Sequence, residues 1–183
     1  MSEELVIRHC APTLAGLKTG NLFSCACASR EELTAALCLL NKKLVPKGVR
    51  VIPLRLTNDR ALIYVYRCSG LKRDLSDAQA RALLEENGYM SESADRCVTR
   101  LIERIGTGEE FPHEIGLFLS YPPEDVCAFI KNKACDHKCV GCWKVYGDVD
   151  AAQRTFARYE KCTRVYAERW RNGRTLERLT VAG

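Results

Sequence analysis

Apolar residues recur at every third or fourth position along several stretches of this chain, a spacing that places them on one face of an α-helix. The clearest stretch follows Ser29, which forms a capping box with Glu32 and therefore predicts a helix start. Pro46 predicts the end of the same helix. Its predicted inner face consists of Leu33, Leu37, Leu40 and Leu44.

The same criteria predict further helices, two of which are separated by the extended break that consecutive prolines impose at Tyr121-Pro122-Pro123. The apolar stripe of the last and longest helix consists of Ala152, Phe156, Tyr159, Tyr166 and Trp170. The predicted segments are a short helix or extended lead-in from Ser2 to Cys10, and helices over Pro12 to Leu17, Ser76 to Gly88, Ser91 or Ser93 to just before Gly106, Glu114 to Leu119, Glu124 to Ile130 and Asp148 to about Arg171.

Branched and aromatic residues predict two strands, Val49 to Leu56 and Ala61 to Arg67, which a short polar turn joins into an antiparallel hairpin. Pro53 places the first strand at a sheet edge or at a bulge. Shorter strands are predicted over Leu22 to Cys27 and Trp143 to Tyr146. The pattern therefore predicts an α+β fold, with helices packed on a small, mostly antiparallel sheet of three or four strands in a single globular domain over residues 1–183.

Composition narrows the class of protein. With 46% hydrophobic and 28% charged residues, the 183-residue chain is expected to be globular rather than disordered. Its apolar runs are shorter than the roughly 20 residues that a membrane-spanning helix needs, and its first residues are acidic rather than basic. We therefore expect a cytoplasmic protein, in which the eleven cysteines are reduced thiols.

Three long motifs carry a resemblance to a known family. FPHEIGLFLSYPPEDV, WKVYGD and HCAPTLAGLKTGNLF are similar to the signatures of a family of uncharacterised bacterial proteins, a domain of unknown function. The resemblance covers nearly the whole chain and implies no established activity, fold or cofactor. It also implies glycine as the usual residue at the position of Ser120, and variable cysteines around Cys135 to Cys142.

The first candidate site combines the amino terminus with the central motif. Cys10, His113 and Glu114 are the residue types of a thiolate nucleophile, its base and an orienting carboxylate, and His9 adjoins the cysteine. Adjacent residues on a helix point about 100° apart, so we expect Glu114 to meet another partner than His113. The candidates for that partner, and for contacts to a ligand, are Lys18 and Arg67. The same Cys/His/Glu set would also bind a divalent metal.

The second candidate site is a cysteine-rich loop. Cys135, Cys139 and Cys142 have the C-x₃-C-x₂-C spacing of radical S-adenosylmethionine enzymes, but too few residues follow Cys142 to build the barrel that those enzymes resemble. A zinc or iron site remains open, with His137 in the same loop and a fourth ligand drawn from Cys127 or Cys162. Without a metal, the loop is a cluster of reduced thiols.

The third candidate is an anion or nucleic-acid surface. Eight basic residues against four acidic ones lie between Asp150 and the end of the chain, which carries a net charge of +5. A second basic group surrounds the hairpin and comprises Arg55, Arg60, Arg67, Lys72 and Arg73. Tyr64 and Tyr66 alternate with these residues, so that one sheet face would offer both rings and charges to a nucleic acid.

The predicted function is a Cys/His-centred site for a small ligand or a metal, with thiol chemistry as one activity that these residues would support. The first alternative is a metal-binding or protein-interaction module that uses the Cys135 to Cys142 loop, and the second is an anion or nucleic-acid binding module. A small ligand or a protein is expected as partner before a nucleic acid, and a membrane is not expected. The sequence does not specify a reaction, and any cofactor is unknown, zinc or iron being the candidates.

Overall fold

The computed structural model describes residues 1–57, 59–107 and 111–183. The chain divides into two compact units, of which the first comprises Met1–Gly70 with Lys161–Gly183 and the second comprises Leu71–Glu160. The α+β class predicted from the sequence is confirmed, with one three-stranded and one two-stranded antiparallel sheet in the described residues. The single domain over residues 1–183 stays a prediction.

The helices and strands follow one another along the described part of the chain. The helices are α1 (Glu3–Leu14), α2 (Arg30–Leu44), α3 (Cys68–Asp74), α4 (Ala78–Glu86), α5 (Ala94–Thr107), α6 (Ile115–Phe118), α7 (Pro123–Lys131), α8 (Val149–Arg171) and α9 (Leu176–Leu179). The strands are β1 (Gly20–Ala26), β2 (Val49–Leu56), β3 (Arg60–Arg67), β4 (Cys139–Val140) and β5 (Lys144–Val145). None of the helices described is long and apolar enough to cross a membrane.

The sheet of the first unit has the order β1-β3-β2, and both strand pairs are antiparallel. The predicted hairpin is therefore confirmed as β2 and β3, although Asn58 of its turn lies outside the described residues. Pro53 lies in the edge strand β2, where the pairing register shifts between Pro53 and Arg55, as its missing N–H leads us to expect.

Helix α2 covers this sheet and follows the predicted pattern. Ser29 accepts a hydrogen bond from the backbone N–H of Glu32 at 3.1 Å, which caps the helix. The four predicted leucines of its inner face are buried in the core of the first unit. Gly48 ends the following turn with a φ of 75°, a left-handed conformation that glycine adopts without strain.

Several predicted boundaries are wrong. The segments predicted as separate before and after Ala11 form the single helix α1, in which Pro12 costs one backbone hydrogen bond while burial of Leu14 favours continuation.

Asp77, not Ser76, caps α4 because its carboxylate accepts bonds from two backbone amides. Helix α5 continues through Gly106. Helices α3 and α9 were not predicted, because seven and four residues give too little periodicity.

The second unit contains short helices and a small hairpin around an aromatic core. Its predicted strand over Trp143 to Tyr146 is shortened to β5, which pairs with β4. Trp143, Val145, Ala152 and Tyr159 form the buried cluster of this region, and Phe156 packs against it. Gly141 lies flush against Phe156, since a Cβ atom built there would come within 2.2 Å of the ring. This close contact fixes the hairpin against the first half of α8.

Candidate ligand-binding site in the second unit

A cavity of about 280 Å³ lies in the second unit between two of the sequence motifs. The FPHEIGLFLSYPPEDV motif and the helix that it begins supply one wall. The β4-β5 hairpin, whose second strand lies within WKVYGD, supplies the other. We call this the motif cavity. The lining includes His113, Tyr121 and Phe129 on the first wall and Val140, Trp143 and Lys144 on the second.

Asp125 ties the two walls together. Its side chain is only 3% exposed, and its Oδ2 accepts a hydrogen bond from Trp143 Nε1 at 2.7 Å. Its Oδ1 accepts from the backbone N–H groups of Tyr146 and Gly147, each at 2.8 Å. Three donors therefore surround this buried carboxylate, as a buried charge requires. Asp125 therefore links the two motifs: one supplies the acceptor and the other the donors.

Close packing shapes the first wall. A Cβ atom at Gly116 would lie 2.7 Å from Val126 Cγ2 and 3.1 Å from a ring carbon of Tyr121, so only glycine lets α6 approach α7 this closely. Burial, and to a smaller extent the thiol of Cys142, raises the pKa of Tyr121 to about 12. The phenol therefore stays neutral at physiological pH.

Two side chains with N–H donors, His113 and Lys144, lie at the cavity. His113 is exposed, and its ring contacts Phe129 edge-on at a centroid distance of 5.1 Å. Within the described residues, neither ring nitrogen of His113 makes a hydrogen bond. Lys144 donates one hydrogen bond from Nζ to the Ala134 carbonyl at 2.8 Å, and Nζ lies 5.9 Å from the centroid of Phe129. Both groups retain donors that a bound molecule can use.

Glu114 faces away from this cavity into the protein. It is 2% exposed, and its Oε1 accepts a hydrogen bond from Tyr89 at 2.7 Å and pairs with Arg104 Nε at 2.8 Å. The expectation that Glu114 does not orient its neighbour His113 agrees with this arrangement. Arg104 reaches Glu114 from α5 within the same unit, whereas the expected partners Lys18 and Arg67 belong to the first unit and stay a prediction. The role of this carboxylate is to anchor the turn that presents His113.

The amino-terminal members of the predicted Cys/His set lie in the first unit. Cys10 is fully buried in the core, and burial raises the pKa of its thiol despite the opposing charge of Lys18. His9 is largely exposed on the neighbouring face of α1, and its ring stacks on Phe23 at a centroid distance of 5.0 Å. Partial burial of the ring and the positive charge of Arg8 lower the pKa of His9. The convergence of Cys10 with His113 stays a prediction, and a buried neutral thiol favours a packing role for Cys10.

Arg67 and Lys18, predicted as ligand contacts, also belong to the first unit and are buried. The guanidinium of Arg67 donates to the carbonyls of Thr13, Leu14 and Val181 at 2.6–2.8 Å. These bonds tie α1 to the segment that follows α9. Burial lowers the pKa of Arg67, and the three carbonyl acceptors account for its position without a ligand.

The cysteine-rich loop is partly open to solvent. Cys135 and Cys142 are exposed, whereas His137 and Cys139 are half-buried and Cys139 packs against the aromatic cluster. No group of three or more His, Cys, Asp or Glu side chains in the described part of the chain is placed to hold a metal ion. The zinc or iron site stays a prediction, and the fourth-ligand candidate Cys162 is buried in the first unit.

Sequence reasoning found His113 but missed Asp125 and Lys144, and it gave Trp143 and Tyr121 only structural roles. The available signal was their position inside the motifs that carry the family resemblance. Residue type alone does not reveal them, because an aspartate in the first turn of a helix is usually read as a dipole partner. Only the fold shows that it reaches across to an indole.

Comparison with known proteins gives one match. The family model described as "Protein of unknown function (DUF3793)" matches residues 6–180, nearly the whole chain. No curated protein and no solved structure matches significantly. The match confirms the resemblance inferred from the motifs, and the chain belongs to this DUF3793 family.

Proposed function

We propose that this protein binds a small, largely apolar molecule carrying an acidic group in the motif cavity. The observation that carries the proposal is the pairing of aromatic walls with unused donors. Tyr121, Phe129 and Trp143 supply flat apolar surface, while His113 and Lys144 supply N–H groups at the same cavity. Apolar walls with a few placed polar groups are the usual composition of a small-molecule site.

The charge balance of the cavity favours an acidic ligand over a basic one. Asp125 is the carboxylate among the lining residues, and both of its oxygens are occupied by donors of the protein. Three of the roughly four lone-pair sites of this carboxylate are therefore taken, which leaves a basic ligand little acceptor capacity of opposite charge there. An acid would gain hydrogen bonds from the Lys144 ammonium and the His113 ring, which donates an N–H in either protonation state.

The cavity size limits the ligand. At about 280 Å³ it lies near the lower end of the roughly 300–1,000 Å³ typical of ligand pockets. A single aromatic or fused-ring acid suits this volume, whereas a dinucleotide cofactor is too large. Binding is the function proposed, and Cys10 is assigned to packing. We also keep the cytoplasm as the expected location, because eleven thiols are typical of a reducing compartment.

A matched pair of probes tests the proposal. Indole-3-acetate and indole-3-acetamide share one ring system and differ in charge, so titration calorimetry of both separates ring burial from acid recognition. We expect both to bind the protein, the acetate about three- to tenfold more tightly, because a charge-assisted hydrogen bond at a partly exposed site contributes roughly 1 kcal/mol. The double variant His113→Gln with Lys144→Gln should reduce the affinity for indole-3-acetate to that for indole-3-acetamide.

Lys138→Gln is the control variant. Lys138 lies beside the same hairpin and donates one hydrogen bond to the Gly147 carbonyl at 2.9 Å, but it does not line the cavity. Lys138→Gln therefore removes one positive charge and one hydrogen bond to a backbone carbonyl, as Lys144→Gln does. Equal weakening by Lys138→Gln would mean that net charge, not the cavity, attracts the acid. Failure of both probes to bind at millimolar concentration would remove the proposal for ligands of this size and ring type.

A further inference from the structure

A second cavity, of about 610 Å³, lies in the first unit where α8 ends and α9 begins. It is lined by Arg169, Asn172, Arg174, Arg178 and Leu179, which we call the arginine pocket. Its lining has three positive charges and no negative one. We propose that the arginine pocket is an oxyanion site that binds a small molecule carrying consecutive phosphate groups.

The backbone that presents the three arginines is well fixed. Gly173 takes a φ of 79°, which lets the chain turn sharply after α8. Beyond the turn, Leu176 and Leu179 are buried in the core, and Thr175 caps α9 by accepting from the N–H of Arg178. The backbone positions from which the three arginines surround the cavity are therefore set by packing of the chain beneath them.

These three charges have no carboxylate partner in the described part of the chain. Among residues 1–57, 59–107 and 111–183, no carboxylate forms an ion pair with Arg169, Arg174 or Arg178. Glu177 adjoins Arg178 in the sequence, but it pairs with Lys43 at 3.5 Å. Three like charges around one cavity repel each other, and an anion between them relieves that repulsion.

A basic residue near a helix end often serves only to interact with the last carbonyl groups. Here Arg171 has that role, because its Nε donates to the Ala167 carbonyl at 3.3 Å. The carbonyls of Glu168, Arg169 and Trp170 accept from backbone amides of the turn, at 2.9–3.0 Å. The pocket arginines make no such side-chain bond to a carbonyl of the described chain, and helix capping does not explain them.

The donor geometry indicates the class of ligand. Each guanidinium offers a planar fork of N–H groups that matches two oxygens of one phosphate, and the side-chain amide of Asn172 adds a neutral donor. Three arginines balance the charge of a di- or triphosphate better than that of one carboxylate. The cationic groups surround one cavity instead of forming a long track, which favours a compact phosphorylated molecule over a nucleic-acid strand.

Calorimetry with sodium tripolyphosphate at about 0.15 M salt tests the inference, since surface charges are largely screened there. Arg169→Gln with Arg178→Gln removes two lining charges, and we expect this pair to weaken binding at least tenfold. Arg164→Gln with Arg171→Gln is the matched control: both side chains are exposed on α8 and neither lines the pocket. The control should change the affinity less than about twofold.

Two further titrations identify the source of the phosphates. Orthophosphate should bind more weakly than tripolyphosphate, and a short single-stranded oligouridylate should bind no more tightly than tripolyphosphate. Equal weakening by the two double variants, or tighter binding of the oligouridylate, would overturn the inference in favour of a general polyanion surface. Absence of tripolyphosphate binding to the unaltered protein would also overturn it. Thermal unfolding of each variant checks that the substitutions leave the fold intact.

Discussion

The core beneath α2 and the motif cavity are built by different means. In the first, leucines spaced along a regular helix pack on a regular sheet, and side chains such as Leu44 and Val49 are completely buried. In the second, two short helices and a two-stranded hairpin are joined by the buried carboxylate of Asp125. The core beneath α2 is filled by apolar side chains, whereas the second region contains the motif cavity.

The difference follows from how each region satisfies its backbone. A long helix and a sheet bond their own N–H and C=O groups, so apolar side chains are free to fill all the space between them. Short segments leave backbone amides without partners, and here those of Tyr146 and Gly147 bond to Asp125. The short segments therefore meet through a polar contact, and the motif cavity lies beside it.

The largest expected effect tests the regular core. Leu44→Ala should lower the free energy of unfolding by roughly 2–5 kcal/mol, because it removes a fully buried side chain from a packed site. Leu39→Ala on the same helix, where the side chain is 61% exposed, should change it by less than about 0.5 kcal/mol. Urea denaturation measures both. A loss below about 1 kcal/mol for Leu44→Ala would show that this core relaxes more than its packing suggests.

The next effect tests the polar centre of the cavity. Asp125→Asn should cost about 2 kcal/mol, because an amide NH₂ group must then face either the indole N–H of Trp143 or two backbone N–H groups. Adding Trp143→Phe removes one of the opposed donors, so the double variant should cost about 1 kcal/mol less than the sum of the two single changes.

Glu124→Gln neutralises the adjacent exposed carboxylate on α7 and serves as the control, with an expected change within about 0.5 kcal/mol. Strict additivity of Asp125→Asn and Trp143→Phe would mean that the indole contributes only apolar contact. The two walls would then be held together by the backbone bonds of Asp125 alone.

The smallest effect separates two opposing terms at one residue. Ser120 adopts a left-handed conformation with a φ of 58°, and its hydroxyl donates to Asp74 Oδ2 at 3.0 Å. Ser120→Ala keeps the unfavourable conformation and loses the bond, so we expect a cost of about 1 kcal/mol. Ser120→Gly loses the same bond but relieves the strain, and its stability should lie close to that of the unaltered protein. Equal losses in the two variants would contradict the strain argument.

Whether a structural feature could be predicted from the sequence depends on how far apart along the chain the residues that determine it lie. The cap at Ser29, the leucine face of α2 and the bulge near Pro53 depend on nearby residues, and the sequence predicted all three. Ser120 is also accounted for, because a left-handed position explains why the family resemblance implies glycine there.

The contacts that form the candidate site were not predictable in the same way. Arg104 and Tyr89 reach Glu114 from 10 and 25 positions away, and Asp125 reaches Trp143 across 18 positions. Local periodicity says nothing about such pairs, since many charged partners are equally plausible from one sequence. The arginine pocket is harder still to predict, because one must know that no acidic side chain of the described residues pairs with its arginines.

The chain contains two tryptophans, and they belong to different units: Trp143 to the second and Trp170 to the first. Each is a natural chromophore for its own unit. A variant with Trp170→Phe leaves an indole whose emission reports on the environment beside the Asp125 carboxylate. The converse variant, Trp143→Phe, leaves an indole packed against the core of the first unit. The pair of single-tryptophan proteins would therefore follow the melting of each unit optically, without any attached label.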